Sequence, residues 1–142
     1  VPSFGSVSLK HLATCHKDAQ VIMSEVVRSF DCTVLEGHRN NSLQQEYFER
    51  GLSKKPPGES LHNYMPSMAW HAMPYFVNVP HVDWKHESSM FFLAGVILGT
   101  ADRLLVARLI THAVRWGGDW DRDFDVREKQ WNDLSHYELV NP

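Results

Sequence analysis

Residues 131–138 read WNDLSHYE, which sets Asp133 three positions before His136. An imidazole nitrogen holds a borderline metal ion such as zinc, and a carboxylate beside it can take a proton from an activated water. Asp133 and His136 therefore qualify as base and ligand, although an Asp that caps a turn before a strand has the same spacing. Residues 60–71, SLHNYMPSMAWH, add His62 in a loop and His71 in an otherwise apolar stretch. A histidine within MAWHAMPY needs a polar partner, and a metal ion is one. Three protein ligands plus one open position is the pattern of catalytic zinc, which makes His62, His71 and His136 the candidate set.

Other groups invite the same question. Arg39 follows a glycine at a strand end, and Gln44 falls in the first turn of the next helix. An arginine there can grip a carboxylate or a developing oxyanion, or it can brace a surface loop. Asp119, Asp121, Asp123 and Asp125 alternate in a manner that suggests a loose cation site. As an EF-hand loop from Asp121 the count places Val126 where glycine is needed and Asn132 where glutamate is needed; from Asp119 it places Phe124 and Gln130 there. A solvated turn is the competing reading. Tryptophans 70, 84, 116, 120 and 131 can line a cleft for sugar or peptide, or fill a small core. His11, His16, His38, His81, His86 and His112 show no ligand pattern, with His38 held in reserve for its place beside Arg39.

The elements that must position these residues belong to a chain of 142 residues, 43% hydrophobic, enough for one core. Its net charge of -3 and lack of a basic stripe argue against nucleic acid as a partner. The N-terminal VPSFGSVSL lacks the features of a signal peptide. The most apolar run, residues 90–98, is too short to insert in a membrane. Cys15 and Cys32 lack metal-knuckle spacing and read as buried thiols.

The periodicity predicts a helix from Ser6 or Ser8, either of which can cap it, to about Phe30. Its apolar stripe would comprise Leu9, Leu12, Ile22, Val26 and Phe30. A strand over 31–37 follows, then a loop with a Ser or Asn cap and a helix over 43–50 that stops at Gly51. Residues 68–76 alternate as a strand with Ala69, His71, Met73 and Tyr75 on one face. The longest helix spans about 86–108, and strands are expected at 113–118 and 136–140. Three helices and about four short strands make an α+β domain.

Taken in order, the segments SLKHLATCHKDAQ, FDCTVLEGHRNNSLQQEYF, RWGGDWDRDFD and DLSHYEL resemble the M15 metallopeptidases. Within them the chain is similar to VanY-like D-alanyl-D-alanine carboxypeptidases and phage endolysin L-alanyl-D-glutamate peptidases. The resemblance implies a DD-peptidase/hedgehog-like fold, a short antiparallel sheet flanked by about three helices, with residues 1–142 as one zinc peptidase domain. It implies one zinc ion, with His62 and His136 as ligands, Asp133 as general base, and Arg39 and Gln44 on the substrate. Where such enzymes have an Asp ligand, this chain has His71, preceded by Trp70 in place of a small aliphatic. Three neutral ligands leave more positive charge on the metal than two plus a carboxylate. Arg122 and Phe124 stand where relatives tend to have glycine, and Glu138 either orients a site residue or faces water.

The implied activity is hydrolysis of an amide in peptidoglycan stem peptides, by a monomeric phage-encoded endolysin. It would be made in the host cytoplasm without a signal peptide and act on the wall after release. L-alanyl-D-glutamate endopeptidase leads. The alternatives are a D-alanyl-D-alanine carboxypeptidase, a wall-peptide binder without turnover, and a structural zinc domain.

Overall fold

The computed structural model describes residues 1–127 and 131–142. Gln130, a position in one of the EF-hand counts, lies outside them. The elements run α1 (Ser6–Ala13), α2 (Lys17–Val26), β1 (Cys32–Glu36), α3 (Asn41–Glu49), a 3-10 turn (Leu61–Asn63), β2 (Ala69–Pro74), α4 (Glu87–Val106), β3 (Ala113–Trp116) and β4 (His136–Val140). The strands form one antiparallel sheet in the order β1-β2-β4-β3. The α+β expectation holds for this small single domain, with four helices rather than about three.

The extra helix arises because the expected helix from Ser6 to Phe30 breaks at Cys15. There the chain makes an isolated parallel bridge to Ser67, with His16 N–H donating to the Ser67 carbonyl at 2.8 Å. His16 then caps α2, its Nδ1 accepting from Asp18 N–H at 3.1 Å. Neither serine caps α1, whose N-cap is Gly5. Ser8 instead lies buried inside the helix, where its Oγ accepts Val34 N–H at 3.0 Å. That bond satisfies a backbone donor on the outer edge of β1, which α1 covers. Leu9, expected in the core, is exposed, whereas Leu12, Ile22 and Val26 are buried.

Period-2 alternation divides the sheet into two chemically distinct faces. Trp70, Ala72, Tyr137, Leu139, Val114 and Trp116 belong to the core, where α2 and α4 pack against one another and α4 lies on β2 and β3. Trp70 and Tyr137 are paired across β2 and β4 and stack with ring centroids 5.8 Å apart. Burying an aromatic side chain of this size contributes on the order of 2–3 kcal/mol. Although α4 is long and apolar enough by composition to cross a membrane, Met90, Leu93, Ala94 and Ile97 bury one side of it here. Cys15 and Cys32 are free and buried, and burial pushes their thiols up to about 11 and about 12. The opposite face of the sheet carries Glu36, His71, His136 and Glu138, which line a cleft of about 980 Å³.

Candidate metal centre

The sheet register creates the centre. His71 on β2 pairs directly with His136 on β4, and one residue of β1, Glu36, pairs with His71 from the other side. His62 arrives from the 3-10 turn, which Ser60 caps by accepting His62 N–H at 3.2 Å. One nitrogen from each of His62, His71 and His136 lies within 4.8 Å of the others, so the structure brings the expected set together. The His62 and His71 rings stack at 4.8 Å, nearly parallel, and His136 meets both edge-on.

Hydrogen bonds assign the ring protons. The Gly37 carbonyl can only accept, so His62 Nδ1 donates to it at 2.7 Å and leaves Nε2 with a lone pair. In the same way His136 Nε2 donates to Glu138 Oε1 at 2.8 Å, so that in the neutral ring Nδ1 holds the lone pair. Those two lone-pair nitrogens are 3.3 Å apart. Burial, reinforced by His136 and Arg39, holds the His62 pKa well below its ordinary value, and burial with the neighbouring histidines does so for His71. Neutral rings that aim lone pairs at one another repel unless a cation sits between them. Two nitrogens about 2.0–2.1 Å from a tetrahedral ion are separated by about 3.3 Å, so the donor set fits zinc.

Asp133 stands at the rim, its Oδ1 3.9 Å from His71 Nδ1 and accepting from Ser135 Oγ at 3.2 Å. Ser135 also bonds His71 Nδ1 at 2.7 Å. Gly117 fixes the backbone beneath, donating its N–H to the His136 carbonyl and accepting Asp133 N–H, both at 2.8 Å. A Cβ on Gly117 would lie 2.1 Å from the Asp133 carbonyl oxygen, so this close approach requires glycine.

Arg39 is buried rather than a surface brace. Its Nη1 donates to Gln44 Oε1 at 2.8 Å, its Nη2 pairs with Glu36, and the guanidinium lies 4.6 Å from the centre of the Tyr47 ring. Gln44, fully buried, donates in turn to Ser53 Oγ and the Lys55 carbonyl. Glu138 is committed as well, bound by His136 and twice by Arg115; burial alone would raise its carboxyl, but these bonds hold it below its ordinary value. The orienting role expected as one option for Glu138 is the one its contacts fit, since it is buried.

Glu36 and Ser135 escaped the sequence reading. Glu36 reaches the centre through pairing between distant strands, and Ser135, although it lies between Asp133 and His136, shows its role only once His71 is beside it. Trp120 and Trp131 stack at the cleft wall, and Lys54 lies over Trp131, whereas Trp70 and Trp116 serve the core. His38 does not join the cluster; its Nδ1 bonds the Tyr64 carbonyl.

In the acidic loop, Asp119, Asp121 and Asp123 come within ligand reach of one another, but Asp125 is bound by Arg127 instead. Asp119 accepts from Asp123 and Phe124 N–H. Arg122 and Phe124 both adopt positive φ, 62° and 68°, a region that favours glycine. A third group, His16, Asp18 and His112, is a structural clasp: Asp18 Oδ2 accepts from Thr111 N–H, Thr111 Oγ1, His112 N–H and His112 Nδ1.

Comparisons with known proteins bear on the fold and the family. No curated protein sequence matches the chain. Among solved structures, the Serratia marcescens L-Ala D-Glu endopeptidase ChiX is similar in fold, with a TM-score of 0.71 at 20% identity, covering 98% of this chain and 91% of that one. The family model for phage L-alanyl-D-glutamate peptidases matches residues 2–140, and the chain belongs to that family.

Proposed function

We propose that this protein is a zinc-dependent endopeptidase that cleaves the L-alanyl-D-glutamate amide in peptidoglycan stem peptides. The observation that carries the reading is the pair of lone-pair nitrogens on His62 and His136, 3.3 Å apart beside His71 and at the floor of a cleft. Family membership supports the choice of bond. His62, His71 and His136 would hold the ion, which when bound supplies a Lewis acid for the scissile carbonyl and lowers the pKa of water.

The chain's own residues do the rest. Asp133, partly exposed at the rim, accepts the proton of the attacking water and returns it to the departing amine of D-glutamate. Ser135 orients the Asp133 carboxylate through its hydroxyl. Arg39, locked by Gln44 and Glu36, presents fixed positive charge for the oxygen that gains charge or for the free α-carboxylate of D-glutamate. Its rigid setting matters because donors already in place need no reorganisation as charge develops. Residues 1–142 then act as one monomeric catalytic domain. A phage-encoded lysin that reaches the wall after release fits this chemistry.

The test is mass spectrometry of purified peptidoglycan incubated with zinc-loaded protein, alongside a chelated control. New D-glutamate amino termini that vanish on chelation are the expected result. Release of terminal D-alanine would reassign the enzyme as a carboxypeptidase. Intact peptidoglycan, with folded and zinc-bound protein, would replace the peptidase reading with a wall-binding one.

A further inference from the structure

We propose that Glu36 is a positioning residue of this centre, its carboxylate supplying the negative charge that three neutral imidazoles lack. The inference rests on the zinc reading above and extends it to a residue outside the expected ligand set. Glu36 Oε1 lies 3.7 Å from His62 Nδ1 and 3.8 Å from His71 Nε2, and it pairs with the buried Arg39. Thus one carboxylate lies within 4 Å of two of the three histidines, beyond hydrogen-bond distance, and pairs with the nearest fixed cation.

A deliberate irregularity of the backbone puts it there. Val34 pairs with Ala72, so regular alternation would set Leu35 opposite His71 and turn Glu36 toward the core beside Trp70. The register shifts between Val34 and Glu36 instead, and Glu36 becomes the partner of His71. A bulge of this kind redirects a side chain at the cost of one ladder position. Here it exchanges a carboxylate in the core for a carboxylate at the centre.

Charge bookkeeping gives the reason. Neutral His62, His71 and His136 contribute nothing to offset a divalent ion, and Arg39 adds positive charge beside it. Glu138 is already shared between His136 and Arg115. Asp133 must remain free to exchange a proton. Glu36 also pairs with Arg39, but it is the one of these three carboxylates that lies within 4 Å of both His62 and His71. Outer partners of metal-bound histidines typically matter by about 10–100-fold in metal affinity.

Zinc affinity, measured by chelator competition on the full chain, tests this directly. Glu36→Gln should weaken zinc binding by about 10–100-fold, and Glu36→Asp, which keeps the charge, should recover part of the loss. Arg39→Gln should not weaken zinc binding, since removing a cation does not penalise another cation. Melting of the metal-free proteins supplies the structural control. A Glu36→Gln protein with reduced metal-free Tm but wild-type zinc affinity would overturn the inference, leaving Glu36 a mere brace for Arg39. Equal losses in Glu36→Asp and Glu36→Gln would overturn the charge argument. Zinc binding without wall cleavage in the wild type would count against the peptidase reading alone, whereas a wild type that binds no zinc would end both.

Discussion

His62 Nε2 and His136 Nδ1 face each other at 3.3 Å across 74 positions of sequence, each with its opposite nitrogen already donating to a fixed acceptor. That relationship is unfavourable for two neutral rings and favourable around a cation. His62→Ala or His136→Ala should therefore remove both zinc and peptidase activity. The loss of affinity should exceed the roughly 10–100-fold typical of an outer partner. Equilibrium dialysis with zinc, paired with a wall-digestion assay, checks it; activity retained in either variant would reject that ligand.

Asp133 bonds Ser135 and no metal-facing nitrogen at hydrogen-bond distance. Asp133→Asn should accordingly keep zinc near wild-type affinity while kcat falls by about 10²–10⁴-fold, the range for loss of a positioned general base. Turnover near that of the wild type would remove Asp133 from this role.

Gly117→Ala and Gly95→Ala should move stability in opposite directions. A Cβ at 117 meets the Asp133 carbonyl at 2.1 Å, and forcing it in should cost about 1–3 kcal/mol while displacing Asp133 and His136. At 95, on the exposed side of α4, nothing lies within 4 Å, so alanine should add about 0.5–1 kcal/mol through helix propensity. Urea unfolding of both variants reads the difference, and a stabilising Gly117→Ala would contradict the close approach.

Asp18 ties the start of α2 to the segment before β3. Burial alone would raise its carboxyl, but the His112 side chain and the Thr111 backbone and hydroxyl outweigh it and hold the pKa below its ordinary value. A carboxyl lowered on folding stabilises the protein above its unfolded pKa of about 3.9 and loses that contribution as pH falls through the folded value. Asp18→Asn should cost about 2 kcal/mol at neutral pH and flatten the fall of Tm below about pH 4. Parallel acid limbs in the two proteins would show that the clasp does not carry this dependence.

Local spacing carried much of the candidate site. Asp133 and His136 share one turn and one strand start, and His71 alternates onto the face opposite Trp70 because strand side chains repeat every two residues. Arg39 and Gln44 were legible as a strand end followed by a helix's first turn, which is where the structure joins them. The resemblance also marked positions 122 and 124 as places for glycine, and both residues there adopt positive φ. The four strands and the long helix α4 were expected from local sequence, with ends that differ by up to two residues.

Tertiary structure decided what depends on meetings between distant segments. The break between α1 and α2 follows from the Cys15–Ser67 bridge, which no helical pattern over residues 6–30 announces. Burial of Arg39 depends on Gln44 and Glu36 closing around it, and the protons of His62 and His136 are set by Gly37 and Glu138. Glu36 enters the centre through a one-residue shift between β1 and β2. Sequence determines which side chains carry the chemistry and the local period on which they turn; the register between strands, chosen by whole-sheet packing, decides which of them meet.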